Sequence, residues 1–145
     1  NCNPAPYRRR DDRPHFEGVI ALVEGLKSRN VPVHGVGLQG HLSAGLDDRF
    51  DDRTLAWFFE RVTDLGLEAM VTELDVTDKG VAANVELRDR RVAATYRRFL
   101  DIALSYPAVR GVLVWGLADV YGGLDRWPRP DAWAVRGLPF DACDG

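Results

Sequence analysis

The chain alternates helical and strand patterns three times, and that alternation limits what it can fold into. Phe16, Val19, Ile20, Leu22, Val23 and Leu26 recur at helical spacing. Pro14 falls in the first turn, Asp12 at the cap and Asn30 at the stop. A short strand is predicted from Val33 to Gln39, with Gly35 and Gly37 inside it, then a loop from Gly40 to about Asp52. A second helix runs from Thr54 to Leu65, with Leu55, Phe58, Phe59 and Val62 on one side and Gly66 as its C-terminal cap. The strand Glu68–Glu73 follows directly, then a loop over 76–86. A third helix spans Glu86 to Ser105 and is ended by Pro107; the third strand is Gly111 to Trp115. Residues 117–145, rich in Gly, Pro, Asp and Trp, read as a long loop.

Apolar strands separated by helices imply parallel strands joined by right-handed crossovers. Three strands of this kind would leave both outer strands with unpaired edges. A closed barrel of the same construction takes eight strands and about 250 residues, so these residues read as roughly a third of one. No internal boundary, tandem repeat or low-complexity tract interrupts residues 1–145, which read as a single domain fragment. The chain opens on Asn1 instead of Met, as expected of a processed, trimmed or partial chain.

Composition removes several classes of function. Apolar residues make up 46% and charged residues 28%, a globular balance. A net charge of −3 argues against a nucleic-acid partner. The basic triplet Arg8-Arg9-Arg10 is followed at once by Asp11 and Asp12 and reads as a mixed solvated face. No apolar run approaches the ~18 residues of a membrane span, and no signal-peptide pattern is present. Cys2 and Cys143 lie near opposite ends, open to a disulfide or to two free thiols. His15, His34 and His41 fall in no metal-ligand spacing.

In parallel α/β architectures chemistry collects at the strand C-terminal ends. Gln39, His41, Glu73, Asp75, Trp115 and Asp119 all fall there. Glu73 and Asp75, at i and i+2, point to one face of a strand. Two acids on one face repel each other unless neighbours or a function hold them. Carboxylates are what sugar hydrolysis uses, to attack or steady an oxocarbenium-like centre. The bland alternative is an acid pair bonded to neighbouring loops. His41, ordinarily a structural residue in such a place, could donate to Glu73 and fix its orientation. Gln39, two residues earlier, would share that face and offer an amide to a sugar hydroxyl. Trp115 is a candidate sugar platform or a core residue, and Trp127 and Trp133 could extend such a surface.

These strand ends, in this order, resemble glycoside hydrolase family ten, the retaining endo-β-1,4-xylanases. The matching segments are Gly35-Val36-Gly37-Leu38-Gln39-Gly40-His41-Leu42, Thr72-Glu73-Leu74-Asp75, Val114-Trp115-Gly116-Leu117-Ala118-Asp119 and Leu138-Pro139-Phe140-Asp141. The resemblance runs from the helix near residue 16 to Asp141. It implies an α/β fold, the C-terminal portion of a TIM (β/α)8 barrel at about strands six to eight. It implies Glu73 as catalytic nucleophile, His41 hydrogen-bonded to it and Asp75 supporting that network. Gln39, Trp115, Asp119, Tyr121 and Trp127 become substrate-binding candidates. The implied partner is xylan or a xylo-oligosaccharide, with no cofactor or metal, in a secreted or periplasmic setting.

The chain departs from the family pattern in two places. The family carries its acid/base glutamate in an Asn-Glu pair on the fourth strand, and no Asn-Glu dipeptide occurs here. Gly122-Gly123 stands where the family usually has Ser-Trp. The expectation is therefore an enzyme whose acid/base half lies outside these residues, with the chain inactive alone. The alternative is a non-catalytic carbohydrate-binding barrel.

Overall fold

The computed structural model describes residues 12–45, 50–126 and 129–141. Cys2, Cys143, Arg8-Arg9-Arg10 and Trp127 lie outside them. Three helices form: α1 (Arg13–Ser28), α2 (Asp52–Asp64) and α3 (Val85–Ala103). Pro14 sits in the first turn of α1, where its missing N–H has no intrahelical partner to lose. Asp12 occupies the cap position without a side-chain cap bond, and Asn30 turns left-handed at φ 58° just beyond the last turn. α2 starts two residues earlier than predicted because Asp51 caps it, accepting from Thr54 N at 2.7 Å. Asn84 does the same for α3, accepting from Leu87 N at 2.8 Å. Gly66, at φ 66°, closes α2 as expected of a C-terminal glycine.

The strands are β1 (Gly35–Leu38), β2 (His41–Ser43), β3 (Glu68–Thr77) and β4 (Val109–Val114), all paired parallel to β3. β1 and β2 are separated only by Gln39-Gly40 and follow each other along β3, so they act as one interrupted strand. β4 pairs with β3 as well, which makes β3 the centre of the sheet. The predicted loop beginning at Gly40 therefore holds a strand segment. Gly40 makes the break possible: it sits at φ 83°, and a Cβ there would lie 3.2 Å from Val71 Cγ1. β3 also runs four residues past its predicted end at Glu73: Leu74, Asp75, Val76 and Thr77 are all buried, Leu74 pairing with Val114 of β4 and the other three with β2.

Register locates an irregularity at the site strand. Leu38 pairs with Val71 and His41 with Asp75, so three residues of β3 face two of the neighbouring chain. On the other side Val71 pairs with Val112 and Leu74 with Val114, so two residues face one. Both mismatches fall across Thr72-Glu73. A bulge of this kind re-aims a side chain and interrupts strict alternation.

One core joins the helices to the sheet: Phe16, Ile20 and Val23 from α1, Phe58, Phe59 and Val62 from α2, and Val92, Phe99 and Ala103 from α3, against Leu38, Ala69, Val71 and Val76. Phe16 and Phe58 stack at 4.4 Å between centroids. Met70, between buried Ala69 and Val71, points away from the helices and is exposed, as are Val114 and Trp115. A smaller cluster of Leu124, Val135 and Leu138 organises the segment after β4. That segment was expected to be loop; it contains two short 3-10 turns, Asp119–Tyr121 and Gly123–Arg126. Among the described residues no helix is long and apolar enough to cross a membrane.

Candidate active site

Glu73 stands on the bulge of the central strand, with chain on both sides. The Gln39 carbonyl accepts from Glu73 N at 3.0 Å, and the Gln39 amide Nε2 donates to Glu73 Oε1 at 3.3 Å. His41 opens β2 directly across from Asp75. Its Nδ1 lies 2.8 Å from Asp75 Oδ1, and its Nε2 lies 3.3 Å from Glu73 Oε2. The imidazole thus stands between the two carboxylates whose i, i+2 spacing put them on one face. Trp115 follows β4, its N–H bonded to Leu74 O at 2.9 Å. Its indole meets the His41 ring edge-on, 6.5 Å between centroids and 82° between planes. The break at Gly40 and the bulge at Thr72-Glu73 are the backbone features that bring Gln39, His41 and Glu73 together.

Burial is graded across the cluster. The Asp75 side chain is 2% exposed, His41 13% and Glu73 18%, so Glu73 is the carboxylate most accessible to a ligand. Ionised carboxylates only accept hydrogen bonds. For both ring nitrogens of His41 to donate, the ring must carry two protons. Burial opposes that charge, but the hydrogen bond and charge of Asp75, joined by those of Glu73, outweigh it and raise the His41 pKa above its ordinary 6.5. Glu73 then has a donor at each oxygen, Gln39 on one and His41 on the other. Such a carboxylate is fixed in orientation and presents an oxygen toward whatever lies over the strand end.

Two further candidates, Asp119 and Tyr121, lie on the 3-10 turn that follows β4. Asp119 is built into the loop that follows β4: its Oδ1 accepts from Gly137 N and Leu138 N, each at 3.0 Å. Burial raises its pKa, opposed by those two N–H donors and by Arg136. Asp119 also lines a cavity of about 340 Å³ with Asp89, Tyr96, Arg136 and Asp141, none of which belongs to the Glu73 cluster. The short side chain, drawn to those two N–H groups, anchors the loop. Tyr121 is 89% exposed, and Trp133 is also exposed. Gly122 lies beneath Leu138, whose Cδ1 would stand 2.6 Å from an added Cβ, whereas Gly123 faces open space. Among the described residues no three His, Cys, Asp or Glu side chains gather to hold a metal ion. Sequence reasoning missed Asp78, Arg88 and Arg129, which meet in the interior. They are scattered along the chain, so no spacing signals them.

The sequence matches the family model described as Glycosyl hydrolase family 10 over residues 6–142. It is 34% identical over 128 residues to a β-1,4-xylanase of Dictyoglomus thermophilum, covering 77% of this chain and 33% of that protein. It is 32% identical over 138 residues to endo-1,4-β-xylanase B of Thermotoga neapolitana, covering 83% and 38%. Among solved structures, native xylanase 10B from Thermotoga maritima superposes with a TM-score of 0.76 at 27% identity, over 88% of this chain and 37% of that one. Xylanase 10B from Thermotoga petrophila, solved with xylobiose, gives 0.75 at 26% identity over the same shares. The chain therefore spans little more than a third of the length of these relatives.

Proposed function

The chain belongs to glycosyl hydrolase family 10, and from that premise we propose that the protein carrying it is a retaining endo-β-1,4-xylanase. Its architecture is the C-terminal part of a (β/α)8 barrel, seen here as an open parallel sheet with helices on one face. In the proposed reaction Glu73 attacks the anomeric carbon of a xylose unit. The bond from that carbon to the leaving oxygen breaks as a carboxylic acid protonates the oxygen, leaving a glycosyl-enzyme ester on Glu73. The same acid, now a base, takes a proton from water, which attacks the anomeric carbon and releases Glu73. Retaining enzymes place the two carboxyls about 5–5.5 Å apart, on either side of the scissile bond.

The observation that carries this reading is the pair of donors on Glu73, Gln39 Nε2 at one oxygen and His41 Nε2 at the other. They align one nucleophilic oxygen and prevent the carboxylate from turning away. Asp75 is a poor candidate for the acid. It lies on the same strand as Glu73 and its Oδ1 takes His41 Nδ1 at 2.8 Å, which makes it the group that orients the imidazole. The acid/base is therefore assigned to residues outside these 145, and the chain alone is proposed to be inactive, lacking general-acid help worth roughly 10²–10⁴-fold. Trp115, half-exposed above His41, offers an indole face to the C–H side of a sugar ring. The xylanase names of the relatives, and xylobiose in one solved neighbour, support a xylo-oligosaccharide as the ligand.

The reading is tested by Glu73→Gln in the full-length protein that carries this chain. Gln keeps the shape and removes the nucleophile, so xylan hydrolysis should fall at least about 10³-fold while the melting temperature holds. Turnover at the parental rate would refute the assignment.

A further inference from the structure

Two arginines from distant parts of the chain converge on one buried carboxylate just past the Glu73–Asp75 pair. Asp78 follows the end of β3 and is fully buried. Its Oδ2 takes Arg88 Nε at 2.6 Å and lies 3.4 Å from Arg129 Nη1. Arg129 also donates to the Asp78 carbonyl, and to the Val81 carbonyl at 2.7 Å, so one guanidinium spans the turn after β3. Arg88, on α3, donates to the Ala134 carbonyl, and Arg136 N reaches Asp78 Oδ2 at 3.3 Å. Asp131 holds the outer side of the Arg129 fork at 2.9 and 2.7 Å. The turn 78–81, the first half of α3 and the segment 129–136 are thereby fastened to one point. Buried ion clusters of this sort are weak evidence for stability, since well-packed apolar replacements often serve as well. What such a cluster does specify is geometry.

The fastened segment runs over the site strand. At Gly137 an added Cβ would overlap the carbonyl oxygen of Val76, the residue after Asp75. Gly137 N and Leu138 N are collected by Asp119, and the Leu138 side chain packs on Gly116 and Gly122, 2.7 and 2.6 Å from where their Cβ atoms would stand. Gly116 directly follows Trp115, whose indole meets His41. A continuous path therefore leads from Arg129 through Asp78 and Arg136 N to Leu138, Gly116 and Trp115. Glu73, by contrast, is oriented by Gln39 and His41 from the opposite edge of β3.

We propose that Arg129 is a positioning residue of the carbohydrate site: through Asp78 it sets the segment 129–138, and by way of Leu138 on Gly116 the Trp115 indole, on the Glu73 strand. Its effect falls on ligand binding and leaves bond cleavage largely alone. The inference rests on the reading of the Glu73 cluster as a xylo-oligosaccharide site.

The test uses the full-length protein and xylohexaose. Binding is measured by calorimetry in a Glu73→Gln background, and KM and kcat are measured with Glu73 intact, for Arg129→Ala, Arg129→Lys and Asp131→Ala. Arg129→Ala leaves Arg88 to neutralise Asp78. It should raise Kd and KM about tenfold with kcat within about threefold, less than the ~100-fold that misplaced reacting groups cost. Arg129→Lys should recover part of the loss, because an ammonium restores charge but not the fork. Asp131→Ala should raise KM by no more than about threefold. Unchanged Kd and KM in Arg129→Ala would overturn the proposal, as would an equal fall in kcat and kcat/KM. If Arg129→Ala does not fold, a graded rise in KM across Asp131→Ala and Arg129→Lys supports it, and flat values in both overturn it. Weakened binding by Arg129→Ala in a protein without xylanase turnover would keep the positioning role and refute the hydrolytic reading instead.

Discussion

Replacing Gly137 by alanine adds a single methyl where the C-terminal segment crosses β3. The added Cβ would overlap the Val76 carbonyl oxygen, lie 3.2 Å from the Val76 carbonyl carbon and stand 2.6 Å from Leu124 Cδ1. The Leu124 tip can swing aside. Val76 cannot, because it is paired with Leu42 in the sheet. The segment must therefore lift by about an ångström, as overpacked positions do at a cost of about 1–3 kcal/mol. Three hydrogen bonds hold it down: Gly137 N and Leu138 N to Asp119 Oδ1, each 3.0 Å, and Tyr96 Oη donating to Gly137 O at 2.8 Å. At about 1 kcal/mol net each, losing two or three of them costs about 2–3 kcal/mol, which is the expected destabilisation. Gly123→Ala is the matched control: same chemistry, same segment, but nothing within 4 Å of the added methyl. It should stay within about 0.5 kcal/mol of the parent or gain slightly from a less flexible unfolded chain. In urea, with a slope of about 2 kcal/mol per molar, Gly137→Ala should move the midpoint down by about 1–1.5 M and Gly123→Ala by almost nothing. Equal midpoints for the two variants would refute the argument that close approach, and not glycine's backbone freedom, sets this position.

Two further perturbations test the electrostatics. His41 has a folded-state pKa above its ordinary 6.5, so protonation favours the folded form; that contribution is complete below pH 6.5 and lost as pH rises through the raised value. Urea midpoints should therefore decline across that window, and His41→Gln should remove the decline; a parental slope in the variant would count against the assignment. Asp119→Asn keeps an oxygen for Gly137 N and Leu138 N and removes a charge that burial disfavours, so stability should change by less than about 0.5 kcal/mol or rise. Asp119→Ala strands both donors and should cost about 1–3 kcal/mol by the same urea assay, and the reverse ranking would contradict the loop-anchor role.

The readable part of the fold was the part with periodicity. Phe58, Phe59 and Val62 repeat at helical spacing and are fully buried on α2, and the order of alternating helices and strands gave the parallel sheet. Boundaries failed where a cap or a break decided them. Asp51 starts α2 ahead of its apolar run, and Gly40 divides one strand in two while leaving both pieces on β3. The Thr72-Glu73 bulge has no composition of its own; it arises from how three pieces of chain pair. At the site, Gln39, His41, Glu73, Asp75 and Trp115 were legible because strand C-terminal ends collect chemistry, and those residues do meet. Asp119 sits at a strand-end position too, yet its carboxylate turned to backbone donors eighteen and nineteen residues downstream, which local sequence does not announce. The Asp78, Arg88 and Arg129 node is illegible for the same reason, since long-range pairing alone defines it.

The central claim is that Glu73 forms the covalent bond to sugar, and a trapped intermediate tests it most directly. A 2-deoxy-2-fluoro-xylobioside with a good leaving group reacts at the first step but slows the second, because fluorine beside the anomeric carbon destabilises the oxocarbenium-like transition state. Incubated with the full-length protein and followed by intact mass and peptide sequencing, it should add one fluoroxylobiosyl group per molecule on Glu73. A label on any other carboxylate, or turnover of xylan with no label at all, would contradict the account.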